Sequence, residues 1–235
     1  MTWSIIARDP STGHIGIAVA TRFFAVGARV PHIAAGIGGI ATQALVNPYY
    51  GIDGVPLLRE GRSPREVIDT LIAADDGRES RQLHVMDARG NIAAHTGRDC
   101  VDWCGHIQGD GFSLAGNMLA GAAVLGDTAQ AYLANTALPF AQRLIAAMKA
   151  GEAAGGDKRG KQSAALLIHG NEEWSDHLRV DDHTDPLAEL ERLEQVSRQR
   201  WVHFRQFIPT RRNPAGITDR AIIDATIEAA TAGKA

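Results

Sequence analysis

Hydrophobic and polar positions change rhythm along the chain, and the changes mark out elements. Thr2 to Ala7 alternates loosely, Asp9-Pro10-Ser11-Thr12-Gly13 has turn chemistry, and Ile15 to Ala20 is a second apolar run, which together predict a β-hairpin. Val30 to Ala35 and Gly38 to Gln43 read as two further short strands, the second almost without charge and so expected to be buried. Pro48 and Gly51 are expected to break the chain. A helix is predicted from Ser63: this residue can cap, Pro64 takes the first helical position, Glu66 closes a capping box, and Val67, Ile68, Leu71 and Ile72 recur at helical spacing. Gln82 to Met86 and Ile92 to His95 form a second predicted hairpin around Ala88-Arg89-Gly90-Asn91, and Phe112 to Ala115 a further strand. Helices over about Thr128 to Asn135 and Pro139 to Lys149 precede strands at Ser163 to His169 and His177 to Val180. A charged amphipathic helix (Pro186 to Arg200), an irregular basic stretch (Val202 to Gly216) and a last helix (Asp219 to Ala230) complete the pattern. Hairpins separated by helical blocks point to α+β, not to a parallel α/β sheet.

Composition narrows the function classes. The chain has 235 residues, 45% apolar and 22% charged, as in ordinary globular proteins, so disordered and collagen-like classes fall away. A net charge of −3 argues against a nucleic-acid partner, which calls for a basic face. No apolar run approaches the roughly 20 residues of a membrane helix, and no membrane association is expected. The opening residues lack the basic start and apolar stretch of a signal peptide, so the cytoplasm is the expected location. Cys100 and Cys104 are the two cysteines; their spacing is not C-x-x-C and no second ligand pair accompanies them, so two free thiols and no metal are expected.

Two glycine-rich stretches imitate phosphate-binding loops. Gly155 to Gln162 nearly matches G-x-x-x-x-G-K-[ST], but Gln162 stands where the magnesium-binding hydroxyl belongs, and the loop leaves a helix to enter a strand. Gly36-Ile37-Gly38-Gly39-Ile40-Ala41 is a formal G-x-G-x-x-A, yet Asn47-Pro48 leaves no room for the long helix that a dinucleotide fold needs. No cofactor is expected. There is no G-x-S-x-G elbow. His95 reads as a structural histidine at a strand end, and Arg179 and Asp181 as an ion pair on one strand face. The start is different. Thr2 is small enough for Met1 to be removed, and the freed α-amine, with an unperturbed pKa of about 7.7–8.0, can act as general base for the threonine's own hydroxyl.

The stretch Met1 to Asp9, with Gly16 to Arg22 and Ala25-Val26-Gly27, resembles a bacterial family catalogued as a domain of unknown function and grouped with the N-terminal nucleophile (Ntn) hydrolases. The resemblance runs on through Ala41-Thr42-Gln43-Ala44, Asn47-Pro48, Arg81-Gln82, His95-Thr96-Gly97, Gly116-Asn117-Met118-Leu119, the block from Gly155 to Ala165, and Arg179 to His183. It covers roughly residues 1 to 195, giving an expected Ntn-hydrolase-like domain over 1–200 and a C-terminal extension over 201–235. It implies a four-layer αββα sandwich in which Thr2 opens a strand at the mouth between two antiparallel sheets and Ala20-Thr21-Arg22 passes nearby.

The function so implied is an amidohydrolase that cleaves a small amide or peptide-like bond, with Thr2 as nucleophile. Asn117, an amide between Gly116 and Met118, is the first choice of oxyanion donor. Thr42 and Gln43 are the second choice, and with Arg22, Asp157 and Arg159 they make up the expected substrate-binding set. The last three are placed there to tune the amine or hold a substrate carboxylate. A non-catalytic ligand-binding or assembly protein on the same fold is the alternative. A homodimer is expected as well: Ile217, Ala221, Ile222, Ala225 and Ile227 stripe the last helix, and a symmetric partner is one place to bury them.

Overall fold

The computed structural model describes residues 2–172 and 176–232. Contacts divide the chain into two units, Met1–Leu190 and Glu191–Ala235. Among the described residues, the first holds all ten strands, in two antiparallel sheets. Strands β1 (Thr2–Arg8), β2 (Ile15–Thr21), β7 (Gly105–Gly109), β8 (Phe112–Asn117), β9 (Ser163–His169) and β10 (Asp176–Val180) form a six-stranded sheet in the order β10-β9-β2-β1-β8-β7. Strands β3 (Pro31–Ala34), β4 (Gly38–Ala44), β5 (Arg81–Asp87) and β6 (Ile92–Thr96) form the second, in sequence order. Helices α1 (Tyr49–Arg59) and α2 (Pro64–Ala73) pack on the four-stranded sheet; α3 (Ala123–Ala134) and α4 (Phe140–Ala153) pack on the six-stranded one. The remaining faces of the two sheets meet, β1 and β2 against β4 and β5 against β8.

Residue alternation explains this layering. Ile6, Ile15, Ile17, Val19, Ala41, Met86 and Leu167 share one buried cluster between the sheets, whereas Ile40, Leu83 and Val85 point to the other side and join Tyr50, Leu58, Val67, Ile68 and Leu71 of the helices. Full burial of a single Ile such as Ile17 stabilises the fold by about 2–3 kcal/mol. The capping box that starts α2 is present: the Ser63 hydroxyl accepts from Glu66 N, and the Glu66 carboxylate accepts from Ser63 N at 2.8 Å.

Three segments differ from the sequence expectation. The chain does not break after Pro48, because Tyr49 N donates to Asn47 Oδ1 at 3.1 Å and starts α1. Gly51 and Gly54 act there as packing surface: a Cβ on Gly51 would lie 1.7 Å from His32 Cδ2, and one on Gly54 2.4 Å from Ile40 Cδ1. Strand β7, only five residues long and bounded by Gly105 and Gly109, was not expected and forms by pairing with β8. The stretch expected to be irregular contains a short helix, α6 (Trp201–Phe204), and a turn of 3₁₀-helix, Arg205–Phe207. Helix α5 (Pro186–Ser197) precedes it. In the second unit, helix α7 (Arg220–Thr231) is capped by Asp219 and buries Ile223 and Ile227 with Phe207. Of the stripe expected to seek a partner, Ile227 is thus covered within the unit, while Ile217 and Ile222 are exposed. No helix among the described residues is long and apolar enough to cross a membrane.

Candidate functional site

Thr2 is the first residue of β1, between β2 and β8, and is buried. Its Oγ1 donates to Thr21 Oγ1 at 3.2 Å, at the far end of the neighbouring strand. Asn117 stands opposite Thr2 in the β1–β8 register. Gln43 reaches the same place from the facing sheet. The two amides, Asn117 Nδ2 and Gln43 Nε2, each donate to Thr2 O at 3.4 Å and to Gln82 Oε1, at 3.0 and 2.7 Å. Gln82, fully buried, has its two Nε2 hydrogens within reach of three acceptors, Gly116 O at 2.8 Å, Thr96 Oγ1 at 2.9 Å and Gly105 O at 3.0 Å. Thr2, Asn117 and Gln43, proposed from sequence, therefore come together around a residue, Gln82, that was not among them.

The polar cluster continues one step deeper between the sheets. Ser4 Oγ donates to Gln43 Oε1 at 2.7 Å and lies 2.9 Å from His84 Nε2, whose other nitrogen is 3.0 Å from Ser113 Oγ. Ser4 has one proton, given to Gln43, so it accepts from His84 Nε2–H, and Nδ1 accepts from the Ser113 hydroxyl. Burial pushes the His84 imidazole down to about 3, with the charge of His106 adding to the effect, so the ring is neutral.

A cavity of about 420 Å³ opens beside Thr2. Thr21 and Gln43 line it near the threonine, and the partly or fully exposed Phe23, Leu45 and Val46 form its walls. Its rim carries Arg29 and Arg81. Among the described residues the non-glycine positions with positive φ are Ala25 (54°), Ala44 (71°) and Met118 (56°), and all three flank this site. Each carries a strain of about 1–2 kcal/mol relative to the usual backbone regions.

The other sequence candidates lie elsewhere. Thr42 alternates with Gln43 along β4 and faces the helices, where its Oγ1 donates to Asn47 O at 3.2 Å. Asp157 is buried and accepts from Arg22 N at 2.7 Å and from Arg159 N at 2.9 Å, with the Arg159 guanidinium 3.2 Å away. Its carboxylate ties the 155–160 loop to the end of β2, beside Thr21, and the Arg22 side chain borders a separate polar cavity with Lys161 and Asp182. Lys161, the lysine of the phosphate-loop look-alike, is paired with Glu152 and Asp185. His95 meets the Arg78 carbonyl at 3.0 Å, Arg179 pairs with Asp181 at 2.9 Å, and Cys100 and Cys104 are free thiols, Cys100 pushed up to about 11 by burial. Among the described residues no group of three or more His, Cys, Asp or Glu side chains is arranged to hold a metal ion.

A family model, described as a family of unknown function, DUF1028, matches residues 2–190. The chain belongs to the DUF1028 family. The matched span ends where the first compact unit ends, and every residue of the site described above falls inside it. The crystal structure of protein SPO2555 from Silicibacter pomeroyi, also a DUF1028 protein, superposes with a TM-score of 0.87 at 35% identity, over 93% of this chain and 96% of that one. A much looser superposition is to Anbu, the ancestral β-subunit, from Yersinia bercovieri, with a TM-score of 0.38 at 12% identity over 88% and 98% of the two chains. No curated protein matches. The family match and the SPO2555 superposition agree on the fold.

Proposed function

We propose that this chain is an N-terminal nucleophile amidohydrolase on an αββα framework of the Ntn type, cleaving a small amide or peptide-like bond through an acyl-enzyme on Thr2. The observation that carries this is the placement of the Thr2 hydroxyl, at the first residue of a central strand, bonded to Thr21 and opening on a cavity. Once Met1 is removed, the α-amine accepts the hydroxyl proton as Oγ1 attacks the carbonyl carbon. The amine then passes that proton to the leaving nitrogen as the C–N bond breaks, and water hydrolyses the resulting ester. Asn117 and Gln43 would serve the oxyanion by giving up their long bonds to Thr2 O while Gln82 keeps them in place. Asp157 and Arg22 hold the strand end that carries Thr21, and Arg159 stabilises Asp157.

A non-catalytic ligand-binding protein on the same fold is the alternative, and one fact favours it: the N–H groups of both amides already have acceptors inside the protein. Turnover separates the two. Thr2→Ala should lower hydrolysis of a reporter amide by about a hundredfold or more, Thr2→Ser should keep part of the activity, and a variant that retains Met1 should be nearly as impaired as Thr2→Ala. Equal turnover by wild type and Thr2→Ala would exclude the nucleophile role.

A further inference from the structure

The two guanidiniums at the cavity beside Thr2 are not equivalent. Among the described residues no carboxylate lines this cavity, whose walls are made by Phe23, Val26, Val30, Leu45 and Val46. Arg81 donates from Nε to Asp75 Oδ2 at 3.1 Å and from Nη1 to Leu45 O at 2.6 Å, so its charge is matched within the fold. Hydrogen bonds from Arg81, Tyr50, Asn47 and the Gly77 N–H outweigh burial and hold Asp75 at about 2, so it is ionised. Arg29 pairs with no carboxylate among the described residues. Its Nη1 donates to the carbonyls of Phe24 and Ala25, at 3.1 and 3.0 Å, and its guanidinium carbon lies 5.7 Å from the Phe23 ring centroid.

These contacts pin one nitrogen and the body of the guanidinium, and leave Nε and Nη2 without an acceptor among the described residues. That edge offers two N–H groups in the fork that matches a carboxylate. Because the fork is already fixed, little side-chain entropy is lost when a ligand takes it. Arg29 is itself exposed, as are Phe23, Leu45 and Val46, so the fork is open to a ligand arriving from solvent.

We infer that the cavity takes a small anionic amide: an N-acyl compound with an apolar body and a free carboxylate, the carboxylate on Arg29 and the body against the walls. As a substrate class this rests on the hydrolase function proposed above; as a carboxylate-binding site it does not. An arginine that only secured the 23–25 loop would not distinguish a carboxylate ligand from its neutral counterpart.

The test uses the Thr2→Ala protein, which keeps the cavity without the proposed nucleophile, with N-acetylleucine and its neutral carboxamide as probes in low-salt calorimetry. N-acetylleucine should bind saturably and about tenfold or more tighter than the carboxamide. Adding Arg29→Gln should remove most of that preference, and Arg29→Lys, which keeps the charge but not the fork, should give an intermediate value. Arg65→Gln, which changes an exposed arginine paired with Asp69 on α2, should leave both affinities unchanged. Thermal melts of each variant check that the fold is intact. Equal affinity for the two probes, a preference that survives Arg29→Gln, or no saturation by N-acetylleucine would overturn the inference. If the acid binds through Arg29 but processed wild-type protein hydrolyses no amide, the catalytic proposal fails alone. If neutral and anionic amides are hydrolysed equally well, only the substrate class fails.

Discussion

The layer between the two sheets has an apolar end and a polar end, built by the same strands. On β1 the inward residue changes from Ile6 to Ser4 in one two-residue step, on β4 from Ala41 to Gln43, and on β5 from Met86 to His84 and then Gln82. Both ends are fully or almost fully buried. They are stabilised differently. The apolar end gains from area removed from water. At the polar end each hydrogen bond adds only about 1 kcal/mol net, yet an orphaned partner costs about 1–3 kcal/mol. A layer of leucines would hold the sheets together at least as well. The polar end faces Thr2, and its bonds converge on the carbonyl of that residue and on the amides beside it, so it specifies the position of one strand terminus.

The contrast can be broken experimentally. Gln82→Leu should be the most damaging change, costing about 4 kcal/mol in denaturant unfolding, because Gln43 and Asn117 lose a shared acceptor and Gly116 O loses a donor. A cost under about 1 kcal/mol would mean that the polar end is not a sealed network. Ile17→Ala, at the apolar end, should cost about 3 kcal/mol through lost burial and a cavity, without altering ligand affinity at Thr2.

Acid should act through the polar end. The His84 imidazole titrates near 6.5 when unfolded and near 3 when folded. Above the unfolded value both states are neutral and nothing is lost. Between 6.5 and 3 the unfolded chain alone takes up the proton, so stability falls with pH by about 1.4 kcal/mol per unit from this group. Comparing wild type with His84→Gln in denaturant melts at pH 6, 5 and 4 should show a shallower decline in the variant; parallel curves would remove His84 from the account. The smallest effect is at the rim, where Ala44→Gly should raise stability by about 0.5 kcal/mol by relieving its left-handed backbone.

Much of the fold was legible in strand alternation. The β1–β2 hairpin, the β5–β6 hairpin, the β9–β10 pair and the capped start of α2 all follow from local pattern and turn or cap chemistry. Helix α1 was not, because Pro48 and Gly51 read as a break, whereas the structure presses His32 against Gly51 and Ile40 against Gly54 within one helix. Of the site, Thr2, Asn117 and Gln43 were legible by chemistry. Gln82 and His84 carry a signal of their own: polar residues in phase with the buried Met86, on a strand whose intervening Leu83 and Val85 are apolar. Arg29 had none, since its role depends on carbonyls of the 23–25 loop and on a cavity that distant segments close.

Thr2 as an acylated nucleophile is the central claim, and trapping the acyl-enzyme tests it most directly. Protein with Met1 removed, treated with an activated ester of a small apolar acid, should gain the mass of one acyl group. Peptide mapping should place that group on the N-terminal peptide at Thr2, and the adduct should be absent from Thr2→Ala and from protein that keeps Met1. An adduct of equal yield in Thr2→Ala, or one mapped to another residue, would contradict the account.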